Sequence, residues 1–138
     1  MLKIGQTEKV SLTVTENETA KSLLIGYGYI LPTDDYANVF ATTKMIGLME
    51  LAAGRLLDKI KNSNELSVGV DVNIRHLKAT PIGQEVNAVA TYLGKEDSLY
   101  KFKIEAFDLG GKIGEGTHTR AIIEIDRLIQ GAIRRTQK

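Results

Sequence analysis

The chain contains no cysteine, so disulfides, thiolate catalysis and cysteine-ligated zinc are excluded. It has only two histidines, His76 and His118, which argues against a histidine-rich metal cage. Basic and acidic side chains nearly balance, at 18 against 17, so no overall basic field is available to attract nucleic acid. We therefore expect neither a bound metal nor a nucleic-acid partner.

Long apolar runs are also absent. No run of about 18 apolar residues occurs, so we expect no membrane span. The first twelve residues, MLKIGQTEKVSL, lack the apolar core of a secretion signal, which makes a cytoplasmic protein the default expectation. The 138 residues, 43% of them hydrophobic, suffice for one packed domain, and we assign residues 1–138 to it.

The most apolar part of the chain, residues 39–57, predicts one long helix over residues 39–60. It is rich in Leu, Ala and Met and contains no proline. Thr42 or Thr43 is expected to cap its N-terminus. At about 100° per residue, Lys44 and Arg55 fall on one narrow polar stripe. One face of this helix therefore meets water, and the remainder is available for packing.

Glu50 does not belong to that polar stripe. It lies about 120° around the helix from Lys44, flanked by Gly47 and Gly54. Burying an ionised carboxylate without a partner costs several kcal/mol, roughly, so Glu50 needs either a salt bridge at an interface or a chemical role. The two glycines leave the backbone bare and permit a strand or ligand to come close.

Five other segments alternate like β-strands. They are residues 8–15, 66–78, 84–93, 98–108 and 112–125. Short turns between the last four imply antiparallel neighbours. One long helix against a five-stranded antiparallel sheet is an α+β layer architecture, which is the fold class we predict.

Two segments lie outside these elements. Residues 16–38 carry glycines, a proline and aspartates, and a loop of this length is typical of a lid or binding loop, with Tyr27, Tyr29 and Tyr36 as apolar cover. Residues 127–138 form a basic tail with no acid, which we expect to be solvated and fraying, although residues 127–135 can form a last short helix.

Both histidines lie on predicted strands. In residues 66–78, the alternation places His76 on the apolar face with Val68 and Val70, toward the helix that carries Glu50. His76 is therefore either a satisfied core histidine or part of a site with Glu50. His118 shares a strand face with Arg120, and that face borders either solvent or a cleft.

Three blocks of the sequence resemble the fluoroacetyl-CoA thioesterase family of hotdog-fold proteins. They are VFATTKMIGLME, SVGVDVNIRHLKATPIGQEV and GKIGEGTHTRAII. The resemblance implies a hotdog fold and a homodimer with active sites near the subunit interface. It also implies hydrolysis of an acyl-CoA thioester with no metal or redox cofactor, coenzyme A being part of the substrate.

The resemblance further implies site residues. The family's catalytic Thr, Glu and His fall on Thr42, Glu50 and His76. Its substrate-contacting Gly and the Arg near its acyl site match Gly69 and Arg120. Glu50 would act as a general base on water or attack the carbonyl to form an anhydride, and the sequence leaves both routes open.

The lid is where this chain departs from the family. Tyr36 stands where the resemblance leads us to expect an apolar aromatic, within the divergent segment LPTDDYANVF. We therefore expect a short or medium acyl-CoA rather than a fluorinated one, with Tyr36 contacting substrate. Two alternatives remain open: a hotdog hydratase or dehydratase that leaves the thioester intact, and a non-catalytic acyl-CoA binder or sensor.

Overall fold

One antiparallel sheet packs on one long helix in the computed structural model, which describes residues 1–27 and 31–137. The strands are β1 (Thr7–Thr13), β2 (Glu65–His76), β3 (Glu85–Glu96), β4 (Leu99–Asp108) and β5 (Gly111–Glu124). The helices are α1 (Ser22–Gly26), α2 (Thr42–Asp58) and α3 (Ile125–Thr136), and a 3₁₀ turn spans Glu16–Glu18. Within this described part, no helix is both long and apolar enough to cross a membrane.

The strands follow the order β1-β3-β4-β5-β2, and all neighbours are antiparallel. This confirms the predicted α+β architecture and the hotdog arrangement that the resemblance implies. The expectation that each short turn joins neighbouring strands is wrong for β2, which pairs with β5 and not with β3. Because β2 lies at one edge of the sheet, one row of its backbone N–H and C=O groups has no strand partner within the described chain. That free edge spans 12 residues.

Helix α2 forms because its apolar residues recur at helical spacing, and they make up one buried face. The buried residues are Met45, Leu48, Met49, Ala52, Ala53, Leu56 and Leu57. They pack on small and apolar side chains of β3 and β4, among them Ala88, Ala90 and Ile104. Each buried Leu or Met contributes about 1.5–3 kcal/mol, so this contact fixes the helix on the sheet.

The predicted cap of α2 is wrong. Ala41 occupies the N-cap position with extended backbone, and no side chain caps the helix. Thr42 is instead the first helical residue, so its hydroxyl is available for a contact outside the helix. That contact is described with the site below.

Strand β2 contains a β-bulge that changes which residues face the helix. The register with β5 shifts between Gly69 and Asp71, so Val70 is the extra residue. Ser67 and Gly69 therefore face α2 on one side of the bulge, and His76 does so on the other. The predicted alternation correctly assigned His76 to this face but was wrong for Val68 and Val70, since Val70 is 51% exposed.

The predicted lid region, residues 16–38, is partly ordered as short helical turns. A capping box closes the 3₁₀ turn, because Thr15 and Glu18 bond to each other's backbone groups. The segment continues into α1. Tyr27 and Tyr36 are exposed, and Tyr29 lies outside the described residues.

The basic C-terminal segment is a helix, which corrects the expectation of a fraying tail. Helix α3 runs to Thr136, while Lys138 lies outside the described residues. Asp126 lies in its first turn, and Arg134 and Arg135 in its last, so both charges complement the helix dipole.

Candidate active site

Thr42 and His76 form the first of two polar clusters. Thr42 Oγ1 lies 2.8 Å from His76 Nδ1, which joins the first turn of α2 to the last residue of β2. The backbone N–H groups of that first turn have no acceptor within the helix. A threonine hydroxyl, an imidazole and unpaired backbone donors therefore meet at one place.

The other ring nitrogen of His76 is unusual. Nε2 is buried and has no hydrogen-bond partner within the described part of the chain. The ring meets Phe40 edge to face, with centroids 6.5 Å apart. Burial lowers the pKa of His76 below its usual value, and the opposing effect of the Lys78 backbone is smaller. His76 is therefore neutral at pH 7, with one nitrogen available to another group.

The second cluster surrounds Gly69 in β2. A Cβ atom built on Gly69 would lie 2.8 Å from Glu50 Oε1, 3.4 Å from His118 Cε1 and 3.7 Å from Arg120 Nη1. A carboxylate, an imidazole and a guanidinium thus converge on one side of this glycine. The half-buried Glu50 does point at the sheet, as its place outside the polar stripe predicted.

Arg120 is held by three hydrogen bonds, two to Ser67 on the neighbouring strand β2 and one to His118 on its own strand. Nε donates to Ser67 Oγ and Nη2 donates to the Ser67 backbone oxygen, each at 3.0 Å. Nη1 donates to His118 Nε2 at 3.2 Å. Burial lowers the pKa of Arg120, whereas the Glu50 carboxylate raises it. An arginine remains protonated in proteins, so the cluster holds a positive charge beside a carboxylate.

The two clusters are separate within one chain. Thr42 and Glu50 are eight residues apart on α2, which is about 12 Å along the helix axis. The structure thus brings Thr42 to His76, and it brings Glu50 to Gly69 and Arg120. It does not bring the three expected catalytic residues together in a single subunit.

Two residues of the second cluster were not predicted. Ser67 was missed because the alternation that set Val68 toward the helix implies the outer face for Ser67, whereas the bulge in β2 turns Ser67 toward the helix. His118 shared a predicted face with Arg120, and this was the available signal, but its place in the cluster was left open. Tyr36 is 52% exposed and makes no hydrogen bond to either cluster in the described residues.

Grooves lie beside both clusters. One of about 450 Å³ is lined by Gly47, Glu50, Gly54, Ser67 and Arg120, among others. Another of about 290 Å³ is lined by Phe40, Thr42 and His76. A larger cavity of about 700 Å³ lies among the 3₁₀ turn, α1 and Lys44 of α2. Within residues 1–27 and 31–137, no three His, Asp or Glu side chains are grouped to hold a metal ion.

Comparison with known proteins gives one consistent result. The sequence model of the fluoroacetyl-CoA-specific thioesterase family matches residues 10–126. The fluoroacetyl-CoA thioesterase of Streptantibioticus cattleyicolor is 34% identical over 126 residues, which cover 91% of this chain and 88% of that protein.

Solved structures agree with the sequence match. A mutant of the fluoroacetyl-CoA-specific thioesterase superposes with a TM-score of 0.90 at 28% identity, covering 99% of this chain and 98% of that one. A second mutant of that enzyme, in complex with acetyl-CoA, gives a TM-score of 0.89 at 27% identity, covering 99% and 100%.

Proposed function

The chain belongs to the fluoroacetyl-CoA-specific thioesterase family, and from this membership we propose that it hydrolyses acyl-CoA thioesters to a free acid and CoA. The observation that supports this most directly is the carboxylate of Glu50 held beside Gly69 and Arg120. A carboxylate that borders a groove can activate a water molecule or attack a thioester carbonyl, and the N–H groups of Arg120 lie close by to hold the acyl group.

Arg120 is suited to hold the acyl group. A guanidinium has five N–H donors, and three of Arg120's are used by Ser67 and His118. The donors that remain are available to a carbonyl or carboxylate oxygen of the acyl portion. In this proposal Gly69 leaves room for that portion, since any side chain there would meet Glu50.

Thr42 and His76 are suited to the other half of the reaction. Negative charge develops on the carbonyl oxygen as the tetrahedral intermediate forms, and the N-terminus of α2 supplies backbone N–H donors and a favourable dipole. The Thr42 hydroxyl adds one more donor. The proton that Glu50 takes from the attacking water passes to the neutral His76 ring, which then delivers it to the departing CoA thiolate. Overall, water adds to the acyl carbon, and the C–S bond breaks to give acid and thiol.

We further propose that a homodimer unites the two clusters. Leu66 and Val70 are exposed on β2, Leu77 is exposed directly after it, and Leu51 is exposed on α2. A long free edge with apolar side chains is normally covered. Antiparallel pairing of two β2 edges about a two-fold axis sets the start of one strand beside the end of the other. Glu50 and Arg120 of one subunit would then face Thr42 and His76 of its partner.

For the substrate we propose a short or medium acyl-CoA, and no resident metal or redox cofactor is required. The family's relatives act on fluoroacetyl-CoA by name. The exposed phenol of Tyr36 puts a hydroxyl into the lid where the resemblance leads us to expect an apolar ring, which would weaken a purely apolar acyl pocket.

The test is thiol release from a panel of acyl-CoAs: acetyl, medium-chain, malonyl and fluoroacetyl. Glu50→Gln should lose about 10²–10⁴-fold in kcat, because it removes the base without changing the shape of the side chain. Glu115→Gln, an exposed residue on β5, is the matched control and should retain wild-type rates.

The outcomes separate the competing functions. Product mass distinguishes hydrolysis from addition or removal of water on an intact thioester. No thiol release, combined with a rise in melting temperature on adding acyl-CoA, would instead indicate a non-catalytic binder. Near-normal turnover by Glu50→Gln would remove this residue from the chemistry.

A further inference from the structure

We propose that His118 is a positioning residue that fixes Arg120 and keeps it from pairing with Glu50. The kinetic part of this inference rests on the proposed thioesterase function, since Arg120 acts on the acyl group there. The side chain of His118 is only 1% exposed and therefore cannot touch the CoA portion of a substrate directly. Its effect must pass through its two hydrogen bonds.

Those two bonds define the state of the ring. Arg120 has only donors, so His118 Nε2 must be the acceptor of the Nη1 bond. The ring proton then resides on Nδ1, which donates to the Asp71 backbone oxygen at 2.8 Å. His118 is thus neutral and in a single tautomer. A proton on Nε2 would set N–H against N–H and break the contact.

The fold leaves the ring no second position. Asp71 follows the extra residue of the bulge in β2, where backbone groups lose their regular ladder partners, and its oxygen is aimed at His118. Phe102 on β4 packs against the other side, with ring centroids 6.4 Å apart. A 180° flip of the ring would put a carbon in place of each nitrogen and would therefore lose both hydrogen bonds at once.

Arg120 is in turn held at three of its nitrogens. Ser67 accepts from Nε and Nη2, and His118 accepts from Nη1, so the plane of the guanidinium is fixed. Of these three contacts, only the one to His118 acts on Nη1, which is the Arg120 nitrogen nearest to a Cβ on Gly69. It determines where Nη1 lies relative to the carboxylate.

The consequence concerns Glu50. No ion pair to Glu50 occurs within the described chain, although an arginine lies beside it. If His118 lost its acceptor, Nη1 would be free to bond to the Glu50 carboxylate on the same side of Gly69. A carboxylate paired in this way is a weaker base and a weaker nucleophile. His118 therefore preserves the reactivity of Glu50 by restraining its neighbour.

Two substitutions test the bond to Arg120 separately from the bond to the Asp71 backbone oxygen. His118→Asn keeps a donor near the position of Nδ1 but removes the acceptor at Nε2, while His118→Gln places an amide oxygen near Nε2. We expect His118→Asn to lower kcat about 10- to 100-fold, the range for losing a hydrogen bond to a charged group, and His118→Gln to recover most of that loss. Equal losses in both variants would overturn the proposal.

A double-mutant cycle tests whether His118 acts through Arg120. In an Arg120→Ala background, His118→Asn should cause no further loss of kcat, because no guanidinium remains to be positioned. Additive losses would assign His118 a structural role instead and would overturn the proposal. Melting temperatures of all four proteins exclude unfolding as the cause.

A spectroscopic measurement on the wild type needs no activity. ¹⁵N NMR of histidine-labelled protein at pH 7.5 should find the His118 proton on Nδ1 and an unprotonated Nε2; a proton on Nε2 would overturn the assignment. If the wild type released no thiol from any acyl-CoA, the proposed function would fail, and NMR would still decide the state of His118.

Discussion

At the scale of single residues, the most informative position is Gly69, which has no side chain. Gly69 borders the atoms of Glu50, His118 and Arg120, and a methyl group there would meet the Glu50 carboxylate first. That carboxylate is the far end of a flexible side chain and can move aside at little cost. The glycine is therefore required by the geometry of the site rather than by the fold.

Gly69→Ala should consequently separate activity from stability. We expect kcat to fall by about tenfold or more, because a displacement near 1 Å at a catalytic group is expensive, whereas the melting temperature stays close to wild type. Thiol release and thermal unfolding on the same preparations check this. Gly47→Ala is the control for substituting a glycine near Glu50: Gly47 lines the groove beside Glu50, and an added Cβ there meets nothing within 4 Å.

At the scale of the elements, two other glycines give opposite expectations. A Cβ on Gly116 in β5 would overlap the Asn73 backbone oxygen and lie 2.8 Å from Ile74 Cα, and backbone on a paired strand cannot move cheaply. Gly116→Ala should lower the free energy of unfolding by about 1–3 kcal/mol or more. Gly131→Ala, on α3 with nothing within 4 Å, should raise it by up to about 1 kcal/mol. Denaturant unfolding of both variants gives the comparison, and a destabilised Gly131→Ala would contradict the open space seen beside α3.

The long helix and the strands were predicted from the sequence, but the β-bulge in β2 was not. Helical periodicity and strand alternation predicted α2 and the five strands, because each element buries one face. Short turns correctly predicted the antiparallel pairs β3–β4 and β4–β5 but not the place of β2, which pairs with β5 rather than with β3. Alternation could not predict the bulge, since inserting Val70 changes no residue type and only shifts the register against β5. For that reason the sequence did not predict that Ser67 faces the helix, and it did not predict that Ser67 is a hydrogen-bond partner of Arg120.

The site was only partly readable from residue patterns. Glu50 stood out because a charge lay off the polar stripe of an apolar helix, and His76 because it continued an apolar strand face. Thr42, Gly69 and Arg120 came from the family resemblance. No pattern could reveal that Thr42 and His76 meet at one end of α2 while Glu50 meets Arg120 elsewhere, because that depends on how the helix crosses the sheet.

At the scale of the whole molecule, both histidines make stability depend on pH. Burial lowers the pKa of His76 and of His118 in the folded chain, whereas the unfolded chain binds protons near pH 6.5. The unfolded state thus takes up more protons than the folded state as the pH falls. The contribution of the two neutral histidines to the free energy of unfolding is therefore fully present above about pH 6.5 and is lost progressively below it. The melting temperature should fall as the pH is lowered from 7.5 to about 5, and it should fall less steeply with pH in His118→Gln. An unchanged dependence on pH in that variant would contradict the lowered pKa of His118 in the folded chain.

The proposed dimer makes a prediction of its own at this scale. Glu50→Gln and His76→Ala should each be inactive, yet mixing and exchanging their subunits should restore about a quarter of wild-type turnover. Half of the randomly formed dimers are mixed, and each of these contains one site with both wild-type residues. A mixture that stays inactive after subunit exchange has been verified would mean that each site is built within one subunit.

The free edge of β2 has a further consequence for how such a protein is controlled. On the proposed arrangement an isolated chain carries two incomplete halves and catalyses nothing, so a newly synthesised copy stays silent until it meets another. Output then rises more steeply than protein abundance at low expression and in proportion to it at high expression. The unpaired edge of β2 would thereby give thioesterase activity a threshold in protein concentration, below which little substrate is hydrolysed.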